Sequence, residues 1–434
     1  MIDSGEHSSG ISRRRFAQLL AVSGSAALLP AADLGALERP RAPIPPAPPS
    51  ADDGFWTLVR GQFALDDDLT FMNAANLCPA SRPVIETLYQ RAQDLDRDPS
   101  PDTKDRLIAQ REETRRILAE YLRASPEEIL LTRNTSEANN IVSSGLALKA
   151  GDHVVIFADN HPSNHRAWTE KAKRFGFTVS VVDPVTPHPG PESYLEAFRK
   201  AMTPRTRLVA FTHVTNTVGD LFPAREICAM ARERGAFSLV DGAQTFGVLD
   251  IDLSRMQPDF YSGSGHKWPC GPRGTGVLYV RREAQAALSP SIVSLYAGSV
   301  GISRSHEGIG QRDEPAMIAF GQALRVQMTI GRPAIESHAR ELAQALMSGL
   351  SSMSGVKVWT HPDPARSAGV LAFQPASLDS RKLARALYEH DRITSQLRGG
   401  EDRPGVRLSP HMYNTHADVE RTLTAVRRYL TSGV

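Results

Sequence analysis

The sequence is poor in cysteine and has almost no excess of charge. It contains 3 cysteines in 434 residues, too few for a disulfide scaffold, and it has no C-x-x-C pair of the kind that binds zinc. Its 50 Lys and Arg residues stand against 48 Asp and Glu residues, a net charge of +2. No long basic run follows residue 15, so we expect no nucleic-acid partner. The lack of a C-x-x-C pair likewise gives no reason to expect a metal site. With 41% hydrophobic residues the chain has enough apolar material for a large core, which argues against disorder.

Lysine is also scarce, because only eight of the 50 basic residues are lysines. Seven of them lie in charged helical stretches, near a helix end or at the start of a strand. Lys267 alone lies in a glycine-rich, nearly uncharged loop that follows an apolar strand. An amine in such a loop can have a lowered pKa and attack a carbonyl group, although an ordinary surface lysine is the alternative.

The N-terminal segment has the composition of an export signal. Three arginines at 13–15 precede a weakly apolar stretch from residue 16 to about residue 32, which is too short and too polar for a stable membrane span of about 20 residues. The string SRRRF (12–16) resembles the twin-arginine motif, so we expect recognition by the twin-arginine translocation machinery and a periplasmic or otherwise exported protein. An amphipathic helix with a basic start is the alternative.

Composition divides the rest of the chain into further segments. Residues 1–32 are the predicted signal, and residues 33–51 form a proline-rich linker with six prolines between positions 40 and 49, which favours an extended spacer. Residues 52–75 are predicted to pack with the C-terminal domain.

The body of the chain has an α/β pattern. Between about residues 120 and 285 short apolar runs alternate with helical patterns, which predicts a mostly parallel sheet covered by helices on both faces. After about residue 340 the pattern becomes that of a smaller α+β unit. We therefore predict a large domain at 76–335 and a small C-terminal domain at 336–434.

Polar residues follow several of the predicted strands. Thr135 and Ser136 open a helix, where hydroxyls and free N–H groups suit a phosphate, although an ordinary N-cap is the alternative. His161 follows the next strand and could equally be a turn residue. Asp241 ends an apolar strand, where a carboxylate is costly unless it pairs with a cation or a protonated ring nitrogen; an N-cap is again the alternative.

These positions together fit pyridoxal 5′-phosphate. A phosphate would lie at Thr135 and Ser136, a flat ring over His161, a protonated pyridine nitrogen at Asp241 and an aldehyde at Lys267. A nicotinamide dinucleotide fits less well, because the third glycine of a G-x-G-x-x-G motif starting at 263 would fall on a tryptophan, and no such motif follows the first strand.

At these motifs the sequence resembles the class-V aminotransferase-like, fold-type I pyridoxal-phosphate enzymes, which include cysteine desulfurases and the isopenicillin-N epimerase-like group. The strings SGHK (264–267), GTG (274–276) and VDGAQ (240–244) carry the resemblance, which extends over about residues 70–430. It implies the fold-type I α/β fold and a homodimer with shared active sites.

The resemblance also implies roles for individual residues. Lys267 would be the Schiff-base lysine, Asp241 would pair with the pyridine nitrogen and His161 would stack on the ring, and these three form the predicted catalytic group. The cofactor-binding residues would further include Thr135, Ser136, Asn216, Gln244, Ser264, His266 and Gln311, the last in a GQRD string (310–313) that resembles a contact to the partner protomer's phosphate. Substrate contacts would come from Arg407, which would clamp an α-carboxylate, together with Asn73 and Arg312.

One departure from the family bears on the reaction. A cysteine desulfurase needs a mobile cysteine before the C-terminal arginine motif, and residues 393–407 contain none. We therefore expect an exported enzyme that acts at the α-carbon of an amino acid or related amine, including a peptide or siderophore, by transamination, epimerisation, decarboxylation or a related reaction. The alternatives are a protein of this fold that binds amino compounds without turnover, and a C–S lyase or desulfurase-like enzyme without the loop cysteine.

Overall fold

The computed structural model describes residues 44–295, 297–399 and 402–434. The predicted export signal and the first part of the proline-rich linker lie outside the described residues. Across these ranges, none of the helices combines the length and the apolar composition needed to cross a membrane.

The described chain alternates strands and helices over most of its length. The strands are β1 (Thr70–Phe71), β2 (Ile129–Thr132), β3 (His153–Phe157), β4 (Thr178–Val182), β5 (Thr206–Thr212), β6 (Phe237–Asp241), β7 (Phe260–Ser264), β8 (Gly276–Val280), β9 (Val356–Val358), β10 (Leu371–Pro375), β11 (Ile393–Thr394), β12 (Gln396–Arg398) and β13 (Gly405–Leu408). The helices are α1 (Asp53–Arg60), α2 (Arg82–Arg97), α3 (Pro101–Leu122), α4 (Thr135–Gly145), α5 (Pro162–Phe175), α6 (Pro191–Ala201), α7 (Ala224–Glu233), α8 (Leu253–Met256), α9 (Ser303–His306), α10 (Glu314–Ile330), α11 (Arg332–Ser351), α12 (Ser380–Glu389) and α13 (His416–Ser432).

The largest sheet confirms the predicted α/β fold. Within the described residues it has seven strands in the order β2-β8-β7-β6-β5-β3-β4. The neighbours from β4 to β7 pair in parallel, and β8 runs antiparallel to both β7 and β2. Every residue of β3, β7 and β8 is buried, as expected of strands covered on both faces. The carboxyl ends of the parallel strands therefore meet at one edge of the sheet.

A second, antiparallel sheet has the order β12-β13-β10-β9. Apolar side chains of α11, α12 and α13 pack against it in a separate core. Strand β1 pairs in parallel with β11, so the segment around residue 70 lies beside the C-terminal part of the chain. The domain boundaries stay predictions.

A buried ion cluster joins β2 and α3 to the segment before α10. The guanidinium of Arg115, which is 1% exposed, donates to both carboxylate oxygens of Glu307 at 2.6 and 2.9 Å. Arg312 donates to the same carboxylate at 2.9 Å, and the Leu131 N–H donates to it at 2.7 Å. Glu307 thus neutralises two buried arginines at once.

Replacing Glu307 by Gln should destabilise the fold by about 3 kcal/mol or more, because Arg312 is then left in the interior without its carboxylate partner. The matched control is Glu113→Gln, since Glu113 forms only exposed ion pairs with Arg116 and Arg325, which contribute about 0–1 kcal/mol. Urea unfolding of the two variants measures the difference. Equal losses of unfolding free energy would contradict the assignment.

Candidate active site

One cavity lies at the carboxyl ends of the parallel strands, the edge where α/β sheets bind ligands. Its volume is about 550 Å³. Ten of the thirteen predicted site residues line it: Thr135, Ser136, His161, Asn216, Asp241, Gln244, Ser264, His266, Lys267 and Arg407. The structure therefore brings together residues that are up to 272 positions apart, from Thr135 to Arg407.

Hydroxyl groups at the start of α4 form one end of the cavity. The N-cap of α4 is Asn134, whose side chain accepts the Glu137 N–H at 2.9 Å, so Thr135 and Ser136 are not needed as caps. The Thr135 N–H donates to Ser264 Oγ at 2.9 Å, and the two hydroxyls lie 2.7 Å apart. Hydroxyls and N–H groups at a helix N-terminus fit the phosphate of pyridoxal phosphate.

Asp241 is held in a fixed orientation at the end of β6. Its Oδ2 accepts from Asn139 Nδ2 at 2.9 Å and from Asn164 Nδ2 at 3.1 Å, and its Oδ1 accepts from the Ala243 N–H at 3.1 Å. The carboxylate is 2% exposed and lines the cavity. A buried carboxylate to which no arginine or lysine of the described residues is bonded fits a protonated ring nitrogen as its partner.

The two asparagines that hold Asp241 were missed by sequence reasoning. Asn139 lies one turn after Thr135 on α4, and Asn164 lies three residues after His161 on α5. Both are completely buried. Their spacing from residues already assigned to the site is the only signal in the sequence that could have revealed them.

Lys267 lies in the loop after β7 with an altered pKa. Removal of water from the ammonium group by burial lowers its pKa from 10.5 to about 8, and Arg407 contributes in the same direction, whereas Asp241 opposes the shift. A larger fraction of neutral amine is therefore present near neutral pH than on a surface lysine. This supports the predicted nucleophilic role of Lys267.

Backbone hydrogen bonds fix the loop that carries Lys267. The Cys78 N–H donates to His266 O at 2.8 Å, the Cys270 N–H donates to Lys267 O at 2.8 Å, and the Gly265 N–H donates to Thr275 O at 2.8 Å. A Cβ on Gly265 would lie 2.3 Å from the Thr275 hydroxyl, so only glycine fits there.

The two histidines of the cavity are neutral near neutral pH. Burial and the nearby Lys267 charge lower the pKa of His161, and the same causes lower the pKa of His266 to about 4. His161 Nδ1 accepts the Ser163 N–H at 3.3 Å, which leaves the proton of the neutral ring on Nε2. An uncharged imidazole fits the predicted stacking on a pyridine ring.

Gln244 is bonded at both ends of its amide. Its Nε2 donates to Ala75 O at 3.0 Å, and its Oε1 accepts from Trp268 Nε1 at 2.9 Å. These bonds fix the side chain at the cavity wall. The amide has a second N–H, with which the predicted bond to a ring hydroxyl could be made.

Arg407 on β13 lines the cavity and is 5% exposed. It donates to Asn216 O at 2.7 Å and to Asn73 Oδ1 at 3.0 Å, so the predicted residue Asn73 supports Arg407 and does not itself line the cavity. The Arg407 Nε is buried without a hydrogen-bond partner. Burial and the nearby Arg398 lower the Arg407 pKa to about 10. A buried guanidinium with an unsatisfied N–H fits the carboxylate of a ligand.

Gln311 and Arg312 do not reach this cavity in a single chain. Arg312 is bound to Glu307 and donates to Leu131 O at 2.6 Å, an ion pair with a buried carboxylate that the motif itself does not reveal. The predicted contact of Arg312 with substrate stays a prediction. Both residues line a separate cavity of about 360 Å³ that also contains Arg133 and Arg273. A contact of Gln311 with a partner protomer stays a prediction.

Comparison with known proteins identifies relatives over most of the chain. The family model Aminotransferase class-V matches residues 81–422. The isopenicillin N epimerase of Amycolatopsis lactamdurans is 32% identical over 390 residues, which cover 86% of this chain and 98% of that protein. A probable cysteine desulfurase of Methanothermobacter thermautotrophicus is 29% identical over 391 residues, covering 83% of this chain and 95% of that protein.

Solved structures agree with the fold. The apo structure of a cysteine desulfurase from Thermococcus onnurineus NA1 superposes with a TM-score of 0.77 at 25% identity, covering 86% of this chain and 97% of that chain. A C-DES mutant with glycine covalently linked to the PLP cofactor superposes with a TM-score of 0.78 at 23% identity, covering 85% of this chain and 98% of that chain.

In the cofactor-free protein, Lys267 should react with an amine-acylating reagent. The reaction rate should rise with pH through a midpoint of about 8, the pKa of its amine. Since Arg407 lowers the pKa of Lys267 and Asp241 raises it, Arg407→Gln should move the midpoint up and Asp241→Asn should move it down. Peptide mass spectrometry after labelling measures the midpoint, with the exposed Lys173 as the reference for reagent reactivity. A midpoint near 10.5 in the unaltered protein would contradict the account.

Proposed function

Since this chain belongs to the class-V aminotransferase family, we propose that it is an exported enzyme that acts at the α-carbon of an amino acid or amino-acid-like substrate. The protein is a pyridoxal-phosphate enzyme of fold-type I. The observation that carries the proposal is the convergence of Lys267, Asp241 and Arg407 on one cavity. A reactive amine, a partner for a ring nitrogen and a clamp for a carboxylate are the three groups that such chemistry requires.

Different residues of the cavity would contact different parts of the cofactor. Hydroxyls of Thr135, Ser136 and Ser264 would hold the phosphate, Asp241 would hold the ring nitrogen protonated, and His161 would cover the ring. When bound, pyridoxal phosphate supplies an electron sink for the electrons of a bond broken at the carbon that bears the substrate amine.

Lys267 and Arg407 have complementary tasks toward the substrate. A lysine with a pKa of about 8 can both accept and return a proton near neutral pH, as a general acid–base needs to. Arg407 would hold the α-carboxylate by its Nε and the remaining N–H groups, while Asn73 and the Asn216 carbonyl keep the guanidinium in place. The substrate would thus be fixed with its α-hydrogen in reach of Lys267.

Sulfur transfer through a cysteine is not favoured by the described residues. Cys78, Cys228 and Cys270 are buried free thiols, and none of them lines the cavity. Burial raises the pKa of Cys228 to about 12 and the pKa of Cys270 well above its usual value, so neither is a ready nucleophile. Epimerisation, transamination and decarboxylation need no cysteine and are therefore favoured, and a C–S lyase without the loop cysteine stays the alternative.

Replacing Lys267 by Ala should abolish the absorbance band of the bond between the cofactor and Lys267 and slow exchange of the substrate α-hydrogen at least about 100-fold, the usual scale for a general acid–base. The matched control is Lys171→Ala, because Lys171 also has a pKa lowered to about 8 by burial but lies outside the cavity. Proton NMR of an amino-acid panel in D₂O measures the exchange. No exchange with any substrate in the unaltered holoenzyme would favour the alternative of binding without turnover.

The proposal further includes export of the enzyme and its assembly as a homodimer. The twin-arginine route moves folded proteins, so a cofactor acquired in the cytoplasm could cross with the chain. The cavity that Gln311 lines is also lined by Ile292, which is 49% exposed. The nearby residues Val293 and Leu295 are 85% and 96% exposed. Exposed apolar side chains of this kind suit a contact with a second copy of the chain.

Cell fractionation followed by size determination tests both expectations. The enzyme should be recovered from the periplasmic fraction at the mass of two chains, and replacing both Arg13 and Arg14 by Lys should keep it in the cytoplasm. Unchanged export of that double variant, or a fully active monomer, would overturn the corresponding part of the proposal.

A further inference from the structure

We propose that the substrate carries two anionic groups, and that Arg398 binds the second one. Arg407 would take the α-carboxylate, and Arg398 would take a carboxylate further along the substrate. This inference rests on the proposed function, because it assigns the substrate class of the same cavity. It predicts an α-amino dicarboxylate, or an amino acid joined to a group that bears a carboxylate.

The backbone places Arg398 next to Arg407. Strand β12 pairs antiparallel with β13, so that Gln396 lies opposite Arg407 and Arg398 lies opposite Gly405. Arg398 is therefore the diagonal neighbour of Arg407, two residues along the paired strand, and long side chains at such positions are within reach of each other. Gln396, Arg398 and Arg407 all line the cavity that contains Lys267.

The charge of Arg398 is incompletely compensated by the described protein. Its Nε donates to Arg403 O at 3.1 Å and its Nη2 donates to Asp402 O at 3.5 Å. No described carboxylate lies within ion-pair distance of Arg398. The nearby carboxylate of Asp159 is bonded to Arg403 at 2.9 Å, which occupies it elsewhere.

Arg398 and Arg407 also oppose each other. Each has its pKa lowered, Arg407 by burial and by the charge of Arg398, and Arg398 by burial in spite of Asp159. Two like charges in a partly buried site are unfavourable unless an anion joins them. Among the described lining residues the cationic groups are Lys267, Arg398 and Arg407, and Asp241 is the single acid.

The phosphate of the cofactor is not the anion that these arginines lack. The hydroxyls suited to it belong to α4 and β7, in the parallel sheet, and bond to each other there. Arg398 and Arg407 belong instead to the antiparallel sheet, and their hydrogen bonds go to Arg403, Asp402, Asn216 and Asn73 and not to those hydroxyls. We therefore assign both arginines to the substrate.

Titration calorimetry of the holoenzyme tests the proposal with probes that have no amine and cannot react. Glutarate, with two carboxylates, should bind at least about tenfold more tightly than butyrate, with one, because its second carboxylate forms charge-assisted hydrogen bonds with Arg398. Arg398→Gln should remove this preference, so that glutarate and butyrate bind with similar affinity. Arg398→Lys should retain part of it.

The matched control is Arg385→Gln, which removes an exposed arginine of α12 that pairs with Glu389 and lies outside the cavity. This variant should keep the full preference for glutarate. In turnover experiments Arg398→Gln should raise the KM for an acidic amino acid with little change in kcat, and should leave the KM for a neutral amino acid unaffected.

Equal affinity of the unaltered holoenzyme for glutarate and butyrate would overturn the inference, whether or not any variant folds. Retention of the preference by a folded Arg398→Gln variant would overturn the assignment to Arg398. Either result can be obtained while neutral amino acids still exchange their α-hydrogen, so failure of this inference is distinguishable from failure of the proposed function.

Discussion

The site depends on a buried carboxylate that three hydrogen bonds hold at the end of β6. Asn139, Asn164 and the Ala243 N–H fix Asp241, and β6 pairs in parallel with β7, so the loop that carries Lys267 begins at the same edge of the sheet. Asp241 would hold the ring nitrogen of the cofactor, and Lys267 would supply the amine for its aldehyde. The hydroxyls of Thr135 and Ser264, the His161 ring and Arg407 line the same cavity.

The cavity contains more positive than negative charge. Burial, and to a smaller extent the neighbouring positive charge, lowers the pKa values of Lys267 and Arg407. A protein without ligands gains nothing in stability from such an arrangement, because buried like charges are unfavourable. Sites of this kind are retained where ligands supply the missing charge. The phosphate, the α-carboxylate and the proposed second carboxylate would each supply part of it, so the unfavourable charge balance becomes a basis for specificity.

Much of the site could be predicted because its residues follow apolar strands. Thr135, His161, Asp241 and Lys267 each come after such a run, and a parallel sheet necessarily brings these positions to one edge. Asn139 and Asn164 could not be predicted in the same way, because polar residues inside helices are usually exposed. The ion pair of Arg312 with Glu307 could not be predicted because it depends on tertiary packing. Arg398 could not be assigned from the sequence because its position beside Arg407 depends on the pairing of β12 with β13.

The attachment of the cofactor to Lys267 is the central claim, and borohydride reduction of the holoenzyme followed by peptide mass spectrometry tests it most directly. Reduction makes the bond between the cofactor and its lysine permanent, so the modified residue can be read from the peptide. With only eight lysines in the chain, the assignment is unambiguous. We expect a pyridoxyl group on Lys267 alone. A modification at another lysine, or a reduced protein that carries no cofactor, would contradict it.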